Sequence, residues 1–529
     1  MKVIKPTPVT AGSFSRASTA TYVDSSGVLQ TAAANVPRIT FDPLTGVCNG
    51  FLAELATTNL QIHSSQFGDV AWTKTGTTVA VNTATAPDGT ASMDRLVEDS
   101  STGAHTITSA GRSVTAGQPY TFSVHIKAYS GARQVGISPG YSPNFAPTDF
   151  AIFDLATGAF TSTGTLTCSV TALANGMYRI AVTATALTTG SATSRIELVS
   201  GSTSSYAGDG ASGAYLWGAQ YEQGGLSSYC ATTHVTASRA ADVTTGGLIY
   251  TNLVDANAAY AAGTTYTIND RVTYLNQVWE CILSPNVGHA PDLSPTYWLN
   301  KGPSNTWAAF DSQVSTASSS SMEQIYILQP GYCSGIGIFG LVGGTLEVSV
   351  LSEPGGPLMS VVKKNLDGAD ISNWYQYYFS TVIQETDYVD TSLSMYSSSY
   401  ITIRITGPST VQCGHISIGQ VVDLGGSQYG ASIGITDYSI KKTDANGLTT
   451  FVQKGYSKDL KVDTLFDKAQ LGSVYHTLSG LRATPCTWIT TDEAEYATLT
   501  TFGNIRNFSI NVEYYSTSLC NFDIQGLST

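Results

Sequence analysis

Acidic side chains are the residues of this sequence that could do hydrolytic chemistry. Glycoside cleavage needs two carboxyl groups about 5 to 10 Å apart across one cleft. Two clusters qualify by composition, Glu98-Asp99 and Asp492-Glu493-x-Glu495. Neighbouring residues of a strand point to opposite faces, however, and acidic residues at the start of a helix favour its dipole. We therefore interpret both clusters as structural and predict no catalytic residue.

Histidine and cysteine could supply nucleophilic or metal chemistry, but their spacing indicates neither. The seven histidines are widely separated, and no G-x-S-x-G or H-E-x-x-H pattern occurs. The eight cysteines stand singly, without a C-x-x-C pair or a histidine at ligand spacing. We predict no metal site, no cofactor and no enzyme activity. Free, buried cysteines and a start without an apolar signal core indicate folding in a reducing cytoplasm.

The elements that must position any site are mostly strands. Short runs alternate apolar and polar residues, which is the period of a half-buried strand. Polar turns such as Asn175-Gly176 separate the runs, and this pattern favours β-sandwiches over parallel α/β units. The clearest runs are 120–127, 178–185, 345–350 and 400–405.

Helices are predicted only near the C-terminal end. Apolar residues at three- and four-residue steps predict a helix over 466–481, closed by Pro485. A capping box formed by Thr490 and Glu493 predicts a second, shorter helix. The segment 443–447 has the composition of a hairpin turn, and a strand is predicted over 507–512.

The bulk properties bound the domain count and exclude two partner classes. A chain of 529 residues is too long for one core and suggests three or four domains. A net charge of -13 without a basic cluster argues against nucleic acid. The most apolar run, 335–344, is too short and too rich in glycine to span a membrane. Composition changes divide the chain near 1–245, 246–302, 303–425 and 426–529.

The segment 259–311 carries the most specific pattern in the chain. It contains G-T-x-Y at 263–266, D-x-V at 270–272, N-x-G at 286–288, and Trp298 ahead of G-P-x-N-x-W at 302–307. This pattern resembles a small β-module of bacteriophage tail proteins that is related to the chitin-binding modules of secreted glycosidases. Tyr260 departs from this resemblance, because the glycosidase modules usually place an exposed tryptophan there.

The aromatic residues of this module admit two interpretations, and both stay open. A module of about 45 residues has little core, so Tyr266, Trp279 and Trp298 are needed to form one. Aromatic rings on a small sheet also serve as platforms for the C–H faces of sugars. Because Trp298 is expected in the core, the candidates for glycan contact are Tyr260, Tyr274 and Trp279.

Two further segments resemble phage proteins. Residues 14–60 are similar to a lead-in of tail and spike proteins, and 213–225 to the end of a jelly-roll like the carbohydrate-binding domains of secreted glycosidases. The first part is thereby divided into a lead-in, 1–60, and a jelly-roll, 61–245. The tripeptide Ser-Arg-Ala occurs around Arg16 and again around Arg239. These two tripeptides flank the jelly-roll, and we expect them to lie side by side. Residues 426–529 resemble the closing domain of tail proteins.

These resemblances imply a structural protein of a phage tail tip, baseplate or fibre. The predicted fold is mainly β and multi-domain. It has sandwich or jelly-roll modules, one small aromatic-rich β-module and a C-terminal α+β domain, 426–529, as the expected attachment end. The implied partners are other tail proteins, further copies of this chain and a host surface glycan, and the implied location is the virion. The alternatives are a purely architectural tail protein, a tailspike depolymerase, and a secreted bacterial lectin, which would need an export signal.

Overall fold

The computed structural model describes residues 1–527, except positions 132, 142, 164, 202, 354–355, 368–372, 380–383, 444–446 and 513. The described chain is mainly β, which confirms the predicted fold class. It divides into two compact units: Phe14–Thr244, here the inserted unit, and Met1–Ser13 with Thr245–Thr529, here the terminal unit. The short strands Ser13–Ser15 and Val243–Thr245 carry the chain from one unit to the other. The five-part division inferred from composition and from the resemblances stays a prediction.

The inserted unit is a sandwich of two antiparallel sheets, with a core of buried aliphatic and aromatic residues from both. The runs predicted at 120–127 and 178–185 are confirmed as neighbouring strands of one sheet. That sheet has the order Thr167–Leu173, Met177–Thr185, Pro119–Ser130, Gly213–Gln223, Met93–Glu98 and Thr77–Ala84. The other has the order Ala159–Ser162, Ala151–Asp154, Gln134–Ser138, Arg195–Val199, Thr102–Ser109 and Ser205–Ala207, and Trp72–Thr75 also pairs with Thr102–Ser109.

Short two-stranded ladders complete the inserted unit. The tripeptides around Arg16 and Arg239 lie side by side, as expected, because the backbone amide of Ala240 donates a hydrogen bond to Ser18 Oγ at 2.9 Å. The paired strands are Ala20–Val23 with Leu29–Ala32, Ile39–Phe41 with Cys48–Phe51, Thr57–Asn59 with Ala237–Arg239, and Arg112–Val114 with Gly190–Ala192.

The terminal unit is built on a ten-stranded and a five-stranded sheet. The first strand of the chain, Lys2–Pro6, lies inside the larger sheet between His415–Asp423 and Cys486–Ile489. The larger sheet has the order Tyr388–Asp390, Gly335–Phe339, His415–Asp423, Lys2–Pro6, Cys486–Ile489, Thr500–Asn511, Thr517–Gly526 and Tyr456–Asp467, and Gly426–Ser427 and Ser432–Asp437 both pair with Tyr456–Asp467. The smaller sheet has the order Gly247–Thr251, Ser318–Gln329, Tyr400–Cys413, Thr345–Leu351 and Leu358–Asn365.

Two sequence predictions about helices need correction. The helix predicted over 466–481 is a strand as far as Asp467, then a 3-10 turn, and an α-helix only over Leu471–Gly480. The capping box at Thr490 is absent, because Thr490 Oγ1 donates to the carbonyl of Leu499 and the short 3-10 helix begins at Ala494. The remaining helices are the α-helix Trp374–Phe379 and the 3-10 turns Ala174–Gly176 and Ala308–Phe310.

Two small pieces complete the terminal unit. The strands Arg271–Tyr274, Gln277–Cys281 and Trp298–Pro303 form a separate three-stranded sheet, here the small module. Ile440–Thr443 pairs with Thr449–Val452 as a hairpin. Three residues of its predicted turn, 444–446, lie outside the described residues. No helix in the described part of the chain is long and apolar enough to cross a membrane.

Candidate functional site

The small module has a core of four side chains: Tyr266, Val272, Cys281 and Trp298 are all buried. The indole nitrogen of Trp298 donates to the carbonyl of His289 at 2.9 Å, which fixes the ring. The assignment of Trp298 to the core is therefore confirmed. Tyr266, which sequence reasoning also counted as a core aromatic, lies beside it with ring centroids 5.1 Å apart.

The three glycan candidates lie along the edge of this core. The register places Tyr274 and Trp279 on the same face of the sheet as Val272, and all three candidates remain partly exposed. The Tyr260 ring stacks on Tyr266 at 5.7 Å and meets Tyr274 edge-on at 5.5 Å. We name Tyr260, Tyr274 and Trp279 the aromatic platform. The structure thus brings the candidates together while giving each a packing role.

Hydrogen bonds set how the platform is held. The Trp279 indole nitrogen donates to the carbonyl of Tyr274 at 3.1 Å, so the two candidates are tied to each other. The Tyr260 hydroxyl is buried without a hydrogen-bond partner among the described residues, and burial raises the pKa of this phenol. This arrangement presents ring surface rather than hydroxyl groups at Tyr260.

The described carboxyl groups of the two acidic clusters are engaged separately, and the Glu495 side chain lies outside the described part of the structure. Glu98 is buried and accepts from Arg133 at 2.6 and 2.8 Å, whereas the neighbouring Asp99 side chain is 46% exposed. Asp492 pairs with Lys2, and Glu493 precedes the 3-10 helix without a side-chain cap. Within the described residues, no group of three or more His, Cys, Asp or Glu side chains could hold a metal ion.

A row of polar and aromatic residues that sequence reasoning missed crosses the inserted unit. Strand register aligns Thr171, Arg179, His125 and Trp217 on neighbouring strands. These residues alternate with core residues such as Val124 and Ile180, so they belong to the outer face of the sheet. His125 and Trp217 are nevertheless only 3% and 4% exposed. The alternation of these residues with core residues could have indicated that they share the outer face of the sheet. Alternation does not show which segment covers that face.

The cover comes from the lead-in, because residues between Thr21 and Glu54 pass over this row and enclose a partly open cavity of about 240 Å³. Beside it lies a buried ion network. Asp242 contacts Arg16 at 3.0 Å and Arg38 at 2.6 Å, and Glu54 contacts Arg38 at 2.8 Å and Arg239 at 3.4 Å. Although burial opposes it, these guanidinium groups hold the pKa of Glu54 below its usual value.

Burial, reinforced by the neighbouring Arg179, lowers the pKa of His125 to about 3. Between about pH 6.5 and pH 3, the imidazole is protonated in the unfolded chain but neutral in the folded one. The free energy of unfolding therefore falls as the pH falls. Replacing His125 by glutamine should therefore flatten the fall in unfolding free energy from pH 6.5 to 4 by up to about 1.4 kcal/mol per pH unit. Urea unfolding across this pH range measures the slope. The exposed His234→Gln change is the control, and equal slopes for both variants would contradict the account.

The cysteines carry no visible chemistry. Six of the eight cysteines are buried. Burial raises the pKa of Cys168 to about 11 and that of Cys486 to about 12, so these thiols are protonated at neutral pH. This matches the expectation that they serve as small apolar side chains.

Comparisons with known proteins give little beyond the chain's own geometry. No protein-family model matches the sequence, and no curated protein matches it. One similar structure is endo-1,4-beta-D-xylanase 10B of Clostridium thermocellum, with its CBM22-1 and GH10 modules complexed with xylohexaose: 14% identity and a TM-score of 0.19, over 34% of this chain and only 30% of the xylanase chain. Another is the N-terminal CBM22-1-CBM22-2 tandem domain of Paenibacillus barcinonensis Xyn10C: 10% identity and a TM-score of 0.20, over 69% of this chain and 98% of that chain. At these TM-scores the likenesses carry no argument about this chain.

Proposed function

We propose that this chain is a non-catalytic, glycan-binding component of a bacteriophage tail, and that the aromatic platform contacts the sugar. The observation that carries the binding role is the shared position of Tyr260, Tyr274 and Trp279. Tyr274 and Trp279 share one face of the sheet, and the Tyr260 ring meets Tyr274 edge-on at 5.5 Å. All three stay partly exposed, while Tyr266 and Trp298 fill the core beside them. Rings in this arrangement can pack against the C–H face of a pyranose.

The polar surroundings of the platform support binding rather than cleavage. Gln277 shares the platform face by register, and its amide can donate to and accept from sugar hydroxyls. Glu280 alternates to the opposite face, where Arg271 holds it at 2.7 Å and Lys301 at 3.8 Å. A glycosidase would need two carboxyl groups facing one sugar ring, so this face suits recognition.

The tail location rests on the resemblances of 259–311 and 426–529 to tail proteins. One surface feature agrees with assembly: the hairpin Ile440–Thr443 with Thr449–Val452 carries exposed apolar residues, including Leu448 beside it at 66% and Phe451 at 77%. An isolated hairpin is only marginally stable in water, so contact with other tail proteins or further copies would stabilise it. Repeated copies would also strengthen weak sugar sites through multivalency.

Electron microscopy of virions labelled with antibody to this chain tests the tail location. Label at the tail supports it, and virions without tail label would refute it. The glycan-binding role is tested separately, on the purified chain.

Replacing Trp279 by alanine should raise the dissociation constant of an oligosaccharide ligand about tenfold, because stacking of a sugar on one ring contributes ~1–2 kcal/mol. Titration calorimetry with the full chain measures this loss. Trp374→Ala, which removes a tryptophan 75% exposed elsewhere in the chain, is the matched control and should keep the wild-type affinity. An unchanged affinity in Trp279→Ala would remove the platform from the proposal.

A purely architectural role is the second candidate, and the packing of Tyr260 favours it. The ring contacts Tyr266, Tyr274 and Trp298, and its hydroxyl is buried. If the role is purely architectural, the wild type has no measurable sugar affinity. Trp279→Ala then lowers the melting temperature of the module.

A further inference from the structure

The cavity beneath the lead-in has the size of a site for a single sugar. Its volume of about 240 Å³ is below the ~300 Å³ at which pockets for drug-sized ligands begin, so it suits one pyranose ring better than an oligosaccharide. The cavity is lined wholly by residues of the inserted unit, whereas the aromatic platform belongs to the terminal unit. The mouth includes Thr171 and Leu226, which is 37% exposed, so a small molecule can enter from solvent.

Two charged side chains line the cavity, those of Arg179 and Glu54. Glu54 is engaged by the guanidinium groups of Arg38 at 2.8 Å and Arg239 at 3.4 Å. Arg179 is therefore the cavity-lining cation that can meet an anion.

Arg179 has bonding capacity to spare. Its described side-chain hydrogen bond is to the neutral hydroxyl of Ser123 at 3.1 Å, and its Nε has no hydrogen-bond partner among the described residues. The carboxylates of Glu222 and Glu54 attract it at longer range, and Glu54 is itself engaged by Arg38 and by the amide and hydroxyl of Ser228 at 2.7 and 2.6 Å. A buried guanidinium without a close counterion is costly, and a ligand carboxylate would satisfy it.

The remaining walls fit the body of a sugar. Tyr229, Leu29 and Leu173 supply apolar surface, and Thr40 and Thr171 supply hydroxyl groups. His125, neutral at physiological pH because its pKa is lowered to about 3, can exchange hydrogen bonds with a sugar hydroxyl. Apolar walls, hydroxyl groups and one free guanidinium together match a pyranose that carries a carboxylate.

We infer that this cavity binds one hexuronate, a pyranose with a carboxylate at C6, and that Arg179 holds the carboxylate. The hexuronate can be a free sugar acid or the terminal residue of a glycan. This second site does not depend on the aromatic platform, so either can fail without the other.

Titration calorimetry of the full chain with glucuronate tests the inference, with glucose as the matched ligand without a carboxylate. We expect saturable one-to-one binding of glucuronate and at least tenfold weaker binding of glucose. Arg179→Gln should abolish glucuronate binding. Because this change alters a buried charge, Leu226→Trp, which narrows the mouth and leaves the charges intact, provides an independent block. Leu187→Trp, at an exposed position of the same unit, should bind as the wild type does.

A glucuronate-terminated disaccharide distinguishes the two sources. If it binds as well as glucuronate, the cavity takes a glycan end; if only glucuronate binds, it takes a free sugar acid. The inference is overturned if glucuronate does not bind the wild type, if glucose binds equally well, or if folded Arg179→Gln and Leu226→Trp both retain binding.

Discussion

Replacing Asp242 by asparagine is expected to lower the free energy of unfolding of the inserted unit by ~3–5 kcal/mol, because removing one partner of a buried ion pair leaves its cations uncompensated. Both carboxylate oxygens of Asp242 are engaged, one with Arg16 and the other with Arg38 and the amide of Glu54. The side chains of Asp242, Arg16 and Arg38 are fully buried. Asparagine preserves the shape but removes the charge, so Arg16 loses its counterion and Arg38 keeps only Glu54 among its described carboxylate partners.

Hydrogen exchange measured by mass spectrometry locates this effect. Peptides from 14–54 and 237–242 should exchange faster in Asp242→Asn, since the network ties these two stretches together. The matched control is Glu280→Gln, which breaks a pair whose arginine is 52% exposed and should cost far less, because solvent screens such a pair. A loss at Asp242 no larger than that of the control would show that the network does not hold the lead-in.

Replacing Val3 by aspartate is the second change with a large expected effect, at ~4 kcal/mol or more in the terminal unit. Val3 and Ile4 are completely buried, and their strand pairs on both sides within the ten-stranded sheet. A carboxylate at position 3 would stand in an apolar cluster that includes Leu460, Trp488 and Phe522.

Lys5→Asp provides the control in the same strand, because Lys5 is exposed and pairs with Gln420 of the neighbouring strand. Its expected cost is below ~1 kcal/mol. Urea unfolding gives the two free energies, and hydrogen exchange should show deprotection of 415–423 and 486–489 in Val3→Asp alone. Wild-type protection of those strands in Val3→Asp would mean that the first strand is dispensable.

Local pattern predicted the strands well and their surroundings poorly. Alternation correctly placed 120–127, 178–185, 345–350 and 400–405 in strands, because the two faces of a strand are fixed by its period. The strand predicted over 507–512 is present as far as Asn511. The same alternation could not show that the face carrying His125 and Arg179 is covered by the lead-in. That cover depends on contacts between residues far apart in sequence.

The errors have the same origin. Apolar spacing extended the predicted helix back to Phe466, which is buried as the end of a strand, so burial was right and the element was wrong. At Thr490 the predicted cap does not form, because the hydroxyl donates instead to the carbonyl of Leu499 across the loop. Lys2–Pro6 was assigned to a lead-in, and nothing local shows that it pairs with strands more than 400 residues away.

The candidate site was predictable to the level of residue type. The composition of 259–311 identified a small aromatic module, and the structure places Tyr260, Tyr274 and Trp279 together on it. The cavity of the inserted unit was not predictable, since its lining comes from seven separate stretches between Thr21 and Tyr229.

The most direct test of the central claim is to incubate the full chain on an array of bacterial surface glycans and to assay the same wells for released reducing sugar. A protein that binds without cleaving should be retained on a defined subset of glycans and release no reducing sugar above background. Release of reducing sugar, or absence of binding to every glycan on the array, would contradict the proposed function.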